Sequence, residues 1–514
     1  MYGTNHLAAF LRRASLGREG ERFAERPGLS PVNYGELFAA AERMAAVLAA
    51  AGVVPGDRVA VQVEKSLEAI ELYLGTLIAG GAFLPLNTAY MPAEISYFLG
   101  DAEPRVFVCD PARQAALAPM AQEAGASAVF ALGPDGTGTL AEAAAAAAPG
   151  FEARPRGADD LAAILYTSGT TGRSKGAMLS HGNLASNAEA LRRTWAVTAA
   201  DVLIHALPIF HTHGLFVATN VTLAAGSSLV FLPRFDAEAI MAAMGQASVL
   251  MGVPTFYVRL LEHPGLGHEA TRHLRLFISG SAPLLAETHR EWQARTGHAI
   301  LERYGMTETS MITSNPYEGE RRAGTVGFPL PGVEVRITDG TSGTELPRGE
   351  IGAIEVRGPN VFKGYWRMPE KTAEELRPDG FFITGDLGRF DADGYLSILG
   401  RSKDLIISGG YNIYPKEIEA LIDAIEGVRE SAVIGLPHPD FGEGVAAVVV
   451  PEPGAKLEGD AIIAALAPAL ARFKLPKRVF FAEDLPRNTM GKVQKKLLRE
   501  AYADAFEKKR AEGP

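Results

Sequence analysis

The sequence predicts an α/β protein with a large, multi-subdomain N-terminal domain on parallel-rich sheets, a β-rich subdomain, and a small α+β C-terminal domain. Three observations carry that expectation. Short β-branched runs alternate with longer Ala/Leu/Glu-rich stretches, the pattern of strand and helix layers over largely parallel sheets. After about residue 320 the texture changes: Gly324, Gly327, Pro329, Pro331 and Gly332 crowd together and short alternating runs such as 351–356 follow. A polar junction at 400–404 then sets off roughly 110 residues that read as a separate unit. At 514 residues the chain is too long for a single core.

The elements follow in order. The first 23 residues mix Arg12, Arg13, Arg18 and Arg22 with Glu19 and Glu21 and lack an apolar signal core. They read as a surface helix, with a transit peptide as the alternative. Residues 58–63 read as a strand, followed by a helix near 67–79; residues 105–109 form a further strand. The Ala-rich stretch 141–148, stopped by Pro149 and Gly150, reads as a short helix. Buried strands are expected at 161–165, 202–207, 228–232, 275–279 and 299–301. Beyond the junction come a helix (415–425), two strands (430–436 and 444–450), a helix (459–472) and a basic tail. No repeat of period 20–50 is visible.

Composition excludes several classes. A formal charge of −10 disfavours nucleic acid as the main partner, so an anionic substrate must be captured by local cations. The single cysteine, Cys109, rules out an internal disulfide framework and a Cys-rich zinc site, and fits a reducing compartment. Its place at the end of a strand suggests a structural role. No apolar stretch of about 18 residues lacks charge, so no membrane span is expected. A cytoplasmic monomer is the default expectation.

Five motifs carry chemistry. Residues 166–176 place Thr167, Ser168, Gly169, Thr170, Thr171 and Gly172 directly after a strand, with Lys175 close behind. Small residues let backbone N–H groups approach an anion, and hydroxyls and an ammonium complete a phosphate cradle. No Gly-Lys-Ser/Thr triplet closes it, so it is not a Walker loop; a flexible linker is the bland alternative. In 302–309 a Tyr304–Gly305 break exposes the side chains after a strand, where α/β sheets place ligands. There Thr307 suits a phosphate and Glu308 suits Mg²⁺, although an ordinary turn also fits. Asp386, after a Thr-Gly turn, suits a ribose diol; such turns are also common on surfaces. Gly409 and Gly410, after the polar run 400–404, let backbone line a narrow passage or simply turn the chain. Lys492, after a glycine in a turn-rich stretch, can be delivered by a flexible loop to a charged centre, unless it belongs to a solvated basic tail.

Taken together and in this order, with Tyr-Pro-x-Glu-Ile-Glu at 414–419, these motifs resemble the adenylate-forming superfamily of acyl-CoA synthetases, luciferases and peptide-synthetase adenylation domains over roughly residues 30 to 500. The resemblance implies ATP, Mg²⁺ and coenzyme A as cosubstrates and metal. It implies that residues 167–172 and Lys175 hold the phosphates and that Gly280, Ser281, Ala282, Tyr304 and Gly305 flank the adenine. Thr307 then contacts the α-phosphate, Glu308 ligates Mg²⁺, and Asp386 with Arg401 hold the ribose. Lys492 bridges the substrate carboxylate and α-phosphate. The domains are expected at 1–402 and 403–514, with the mobile C-terminal domain turning about Lys403 and Gly409–Gly410 lining the thiol tunnel. The lysine equivalent to Lys492 is often reversibly acetylated in this family, so an acetyltransferase and deacetylase are candidate partners. For the CoA 3′-phosphate, Arg472, Lys474, Lys477 and Arg478 are basic candidates, equally well read as a solvated tail.

Three features narrow the acid. His211 and His213 follow the strand at 202–207. Arg290 lies two turns after Pro283 and on the same face, so it looks into the acyl pocket if Pro283 opens a helix; a surface ion pair with Glu287 or Glu291 is the alternative. Met306 fills space that a long acyl tail would need. A rigid guanidinium fork suits a second carboxylate, with His211 and Ser281 as further contacts. The runs 205–218 and 276–286, with 302–309, resemble the malonate-activating branch, the malonyl-CoA synthetases. The implied reaction is AMP-forming ligation of malonate to CoA, with methylmalonate as a slower substrate. An aryl- or fatty-acyl-CoA ligase of the same superfamily, a carrier-loading adenylation module and a non-catalytic relative are the rivals.

Overall fold

The computed structural model describes residues 2–167, 174–408, 411–439, 441–488 and 491–506. Among these, two parallel-cored sheets organise the N-terminal part. The larger runs in the order Phe328–Pro329, Ser310–Ser314, Leu301–Met306, Leu276–Ser279, Val249–Gly252, Val202–His205, Ser228–Phe231, Arg22–Glu25, Val32–Asn33. Its middle is parallel, and both edges are antiparallel. The second sheet runs Ala128–Ala131, Val106–Cys109, Arg58–Gln62, Ala82–Pro85, Leu161–Thr167, Lys175–Ser180, with only the last pair antiparallel. Strands such as Val106–Cys109 and Leu276–Ser279 are buried at every position, as parallel strands covered on both faces must be.

Local chemistry fixes the covering helices. Asn33 and Glu36 close a reciprocal capping box at the start of Tyr34–Ala50, and Ser66 caps Leu67–Ile78. These two helices touch where Gly75 has no side chain: a Cβ there would stand 2.6 Å from that of Met44. The Gly/Pro-rich region folds into an antiparallel meander, Glu334–Thr338, Gly352–Arg357, Phe382–Phe390 and Leu396–Arg401. After the turn Ser402–Asp404 the chain enters another sheet, dominated by the long hairpin Val428–His438 and Gly442–Pro451, with Pro415–Ile422 and Gly459–Leu466 packed on it.

Three expectations need correction. The N-terminal helix, His6–Arg12, is not a surface helix: Leu7 and Leu11 are fully buried in the main core, and Arg12 pairs with Glu42 at 2.8 Å. The strand expected at 299–301 is Leu301–Met306, so Tyr304 and Gly305 lie inside it and not in a break after it. Pro283 does not open a helix; the helix is Ala286–Thr296.

Candidate adenylation site

The phosphate-type loop joins two antiparallel strands, with Thr167 opposite Lys175. Ser168, Gly169, Thr170, Thr171 and Gly172 lie outside the described residues. The Lys175 ammonium contacts both Glu375 carboxylate oxygens, at 3.0 and 3.3 Å, and lies 4.1 Å from the Tyr365 ring centre. The Tyr365 hydroxyl reaches Glu375 at 2.6 Å and Glu308 at 3.0 Å. Glu308 is buried, which raises its carboxyl above the ordinary range.

Thr307 and Glu308 occupy the turn between Leu301–Met306 and Ser310–Ser314. The pairing register shifts at Tyr304–Gly305, and a Cβ on Gly305 would fall 2.1 Å from the Ser310 carbonyl oxygen, so only glycine lets the hairpin close. Tyr304 donates its hydroxyl to Asp386 at 2.5 Å. Asp386 is not in a surface turn: it lies within the strand Phe382–Phe390, directly opposite Arg401, and the pair meets at 2.7 Å. Antiparallel register alone brings these two residues together from fifteen positions apart in sequence.

Lys492 reaches the same place from the C-terminal sheet. It sits in a tight reversal in which Asn488 accepts from the Lys492 N–H at 3.0 Å and Gln494 donates to Pro486. Gly491 precedes it with φ +74°, and a Cβ there would stand 3.2 Å from Thr255, at the start of the helix Pro254–Leu261. Lys492 keeps solvent exposure, yet partial desolvation and the Arg401 charge lower its ammonium pKa, while Asp386, Asp404 and Glu308 oppose that shift. Lys403, in the turn Ser402–Asp404, is pushed down to about 8 by burial, with Arg401 and Lys492 adding like charge. Gly409 and Gly410 lie outside the described residues.

Near His211, His213 and Gly280 lies a residue that sequence reasoning missed. Arg303 is buried, and its Nε and Nη2 have no hydrogen-bond partner among the described residues. Burial pushes its guanidinium down to about 9. The guanidinium packs against Gly280, where a Cβ would be 2.4 Å from Arg303 Cζ. Burial and the Arg303 charge hold His211 at about 4 and His213 well below its usual value, so both rings are neutral at pH 7. His213 Nδ1 lies 3.2 Å from the Ser281 hydroxyl, and its Nε2 is buried without a partner among the described residues. Ser281 takes φ +75°, a left-handed conformation unusual for a side chain other than glycine. Met306 packs partly buried on the same core, and Ala282 is half-buried. Arg290, by contrast, is exposed on the helix Ala286–Thr296. Its expected face was set by counting from Pro283; a helix starting three residues later turns that position to solvent. The missed signal was a charged residue inside a buried strand, within a motif already singled out.

Paired Asp386–Arg401, buried Glu308 and the nearby Lys492 mark a nucleotide-using adenylate-forming enzyme. The chain belongs to the AMP-binding enzyme family, whose model matches residues 16–366, with the AMP-binding enzyme C-terminal domain matching 417–492. ATP-bound MatB from Rhodopseudomonas palustris is 61% identical and superposes with a TM-score of 0.96, covering 98% of this chain and 100% of that one. The apo structure of MatB gives 0.86 over the same shares. A malonate–CoA ligase of Arabidopsis thaliana is 38% identical over 88% of this chain and 79% of its own. A feruloyl-CoA synthase of Amycolatopsis is 37% identical over 96% and 98%. No helix among the described residues is long and apolar enough to cross a membrane.

Proposed function

We propose that this protein is an AMP-forming malonate–CoA ligase. The carrying observation is Arg303: a buried cation whose Nε and Nη2 have no hydrogen-bond partner among the described residues, near His211 and His213. A buried charge is costly unless paired, so the pocket is incomplete until an anion enters. Malonate brings one carboxylate to be activated and a second to pair with the guanidinium fork. Neutral His211 and His213 add ring nitrogens without adding charge. A feruloyl or fatty-acyl chain would bury Arg303 against carbon, which disfavours the aryl- or fatty-acyl reading.

The reaction needs two anions to meet. Lys492 reaches the cleft centre, where its ammonium offsets the charge of the attacking carboxylate and of the ATP α-phosphate. Thr307 offers a hydroxyl to that phosphate, Lys175 and the loop 167–172 take the outer phosphates, and Asp386 with Arg401 grip the ribose. Glu308 is a hard oxygen donor suited to Mg²⁺, which would screen phosphate charge when bound. Among the described residues no cluster of three or more acidic, His or Cys side chains surrounds it, so such an ion would draw its other ligands from phosphate and water, as Mg²⁺ commonly does. With malonyl-AMP formed and pyrophosphate released, the C-terminal domain (403–514) turns about Lys403 relative to 1–402. That motion withdraws Lys492 and brings Gly409–Gly410 to the CoA thiol, which attacks the acyl carbon and expels AMP. Acetylation of Lys492 by an acetyltransferase, reversed by a deacetylase, would block the first half-reaction by removing its charge. The protein works as a cytoplasmic monomer in this reading.

The test is pyrophosphate release with ATP, Mg²⁺ and CoA across malonate, methylmalonate, acetate, octanoate and 4-coumarate. Malonate should lead and methylmalonate follow, since one methyl is worth about 1–3 kcal/mol of discrimination. Arg303→Met should cut kcat/KM for malonate by about 10²–10³-fold, the usual loss on removing one partner of a buried charge pair. Arg290→Ala should leave it within a factor of two or so, as exposed charges contribute little. A wild-type preference for a monocarboxylate would overturn the assignment.

A further inference from the structure

Glu375 takes up the cation that the outer phosphates of ATP require. It closes the short helix Pro369–Glu375 in the linker between two strands of the meander, outside each of the five motifs. Its carboxylate spans the Lys175 ammonium with both oxygens. Two further groups hold it there: Lys371, one turn earlier, at 3.1 Å, and the Tyr365 hydroxyl at 2.6 Å. Thr372 ties the arrangement together, accepting from the Tyr365 backbone N–H at 2.9 Å and donating to Met368. Gly364, with φ +115°, makes room for that threonine, since a Cβ would lie 2.7 Å from its Cγ2. Glu375, Lys371, Thr372 and Tyr365 are therefore one rigid support.

We propose that Glu375 is an exchange ligand for Lys175: it pairs the ammonium while the triphosphate site is empty, yields it to ATP, and takes it back as pyrophosphate leaves. Both partners are largely covered, with side-chain exposures of 18% and 23%, so neither is well neutralised by water alone. When Lys175 turns to phosphate, Glu375 keeps Lys371 and Tyr365 and is not stranded. When pyrophosphate departs, Lys175 exchanges one anion for another and never passes through an unpaired state. The cost is weaker apparent ATP binding, because ATP must displace a resident carboxylate; the gain is faster loss of a polyanionic product. Tyr365 also contacts Glu308, so the exchange is felt at the carboxylate assigned to Mg²⁺. The inference rests on the adenylating reading of the site and not on which acid is activated.

The experiment compares wild type with Glu375→Gln and Glu375→Ala, using whichever acid the substrate panel ranks first. Two constants are read: KM for MgATP and the inhibition constant of pyrophosphate against MgATP, with a melting curve for folding. Expected is a fall of about fivefold or more in both constants for both variants, the scale of one partly buried charged contact, and a lower kcat wherever pyrophosphate release limits turnover. Glu375→Asp, which keeps the charge, should lie nearer wild type. Unchanged constants in folded variants would overturn the proposal, as would a rise in both, which would place Glu375 among the groups that bind the nucleotide. A change of preferred acid alters only the assay and leaves this comparison intact.

Discussion

At the scale of single residues, Arg303 couples function to instability. Its guanidinium is charged at pH 7 yet buried, with Nε and Nη2 unpartnered among the described residues. Arg303→Met should therefore stabilise the unliganded protein by about 1–4 kcal/mol, seen as a higher melting temperature, if it behaves like other buried charges replaced by apolar side chains. Malonate should stabilise wild type and fail to stabilise the variant; differential scanning fluorimetry reads both. The histidines make a second prediction. Burial holds His211 at about 4 and His181 at about 3, against about 6.5 in the unfolded chain. The unfolded state then binds more protons between those values, so stability falls as pH drops from about 6.5 towards 4. Urea titrations at pH 7 and pH 5 should show the loss, and His181→Gln should flatten it. Neither point was fully legible beforehand. The sequence placed an arginine near the acyl pocket from helix counting and so chose Arg290; only the true helix start at Ala286 and the strand Leu301–Met306 show which arginine is inside.

At the scale of elements, the sequence was most legible where one strand equals one β-branched run. Val106–Cys109, Ser228–Phe231 and Leu276–Ser279 fall within a residue of the expected spans, because full burial imposes an apolar run. Pairing was not legible. Nothing in Thr384-Gly385-Asp386 announces a strand that continues through it, since Gly385 at φ +73° looks like a turn in sequence. The facing of Asp386 and Arg401 depends on a register shifted one position along at Leu387–Gly388. Gly491 gives this scale its prediction. Its left-handed φ and its closeness to Thr255 leave no comfortable place for a side chain. Gly491→Ala should cost about 1–2 kcal/mol in the conformation that delivers Lys492, so pyrophosphate release should slow about tenfold. Thioester formation from preformed malonyl-AMP should be spared. Equal losses in both would show that the glycine serves folding alone.

At the scale of the whole molecule, Gly491, next to Lys492, packs close to Thr255, and the chain superposes more closely on the ATP-bound relative than on its apo form. In the proposed cycle this is the pose for the first half-reaction. Lys492→Ala should lower pyrophosphate release at least about 10²-fold, the size of a lost electrostatic contact to a developing charge, and leave the malonyl-AMP to malonyl-CoA step largely intact. Stopped assays of each half-reaction distinguish this from a general loss. The layout also limits what can be recombined. The strand Leu396–Arg401 ends on the residue that faces Asp386, and the next residue begins the turn Ser402–Asp404, anchored by Ser402 to the Gly385 carbonyl and by Asp404 to Arg499 of the last helix. In the proposed cycle, nucleotide grip and domain joint would thus share one unbroken stretch of backbone. A graft that imports a foreign C-terminal domain at residue 402 keeps Asp386 with Arg401 and brings in residues 404 and 499 as a pair, so of these contacts only the bond from residue 402 to the Gly385 carbonyl crosses the seam, whereas one that starts at Leu396 separates Asp386 from its own Arg401 and disturbs the meander. Interchange of this domain among relatives therefore turns on whether the incoming residue 402 can still donate to the Gly385 carbonyl.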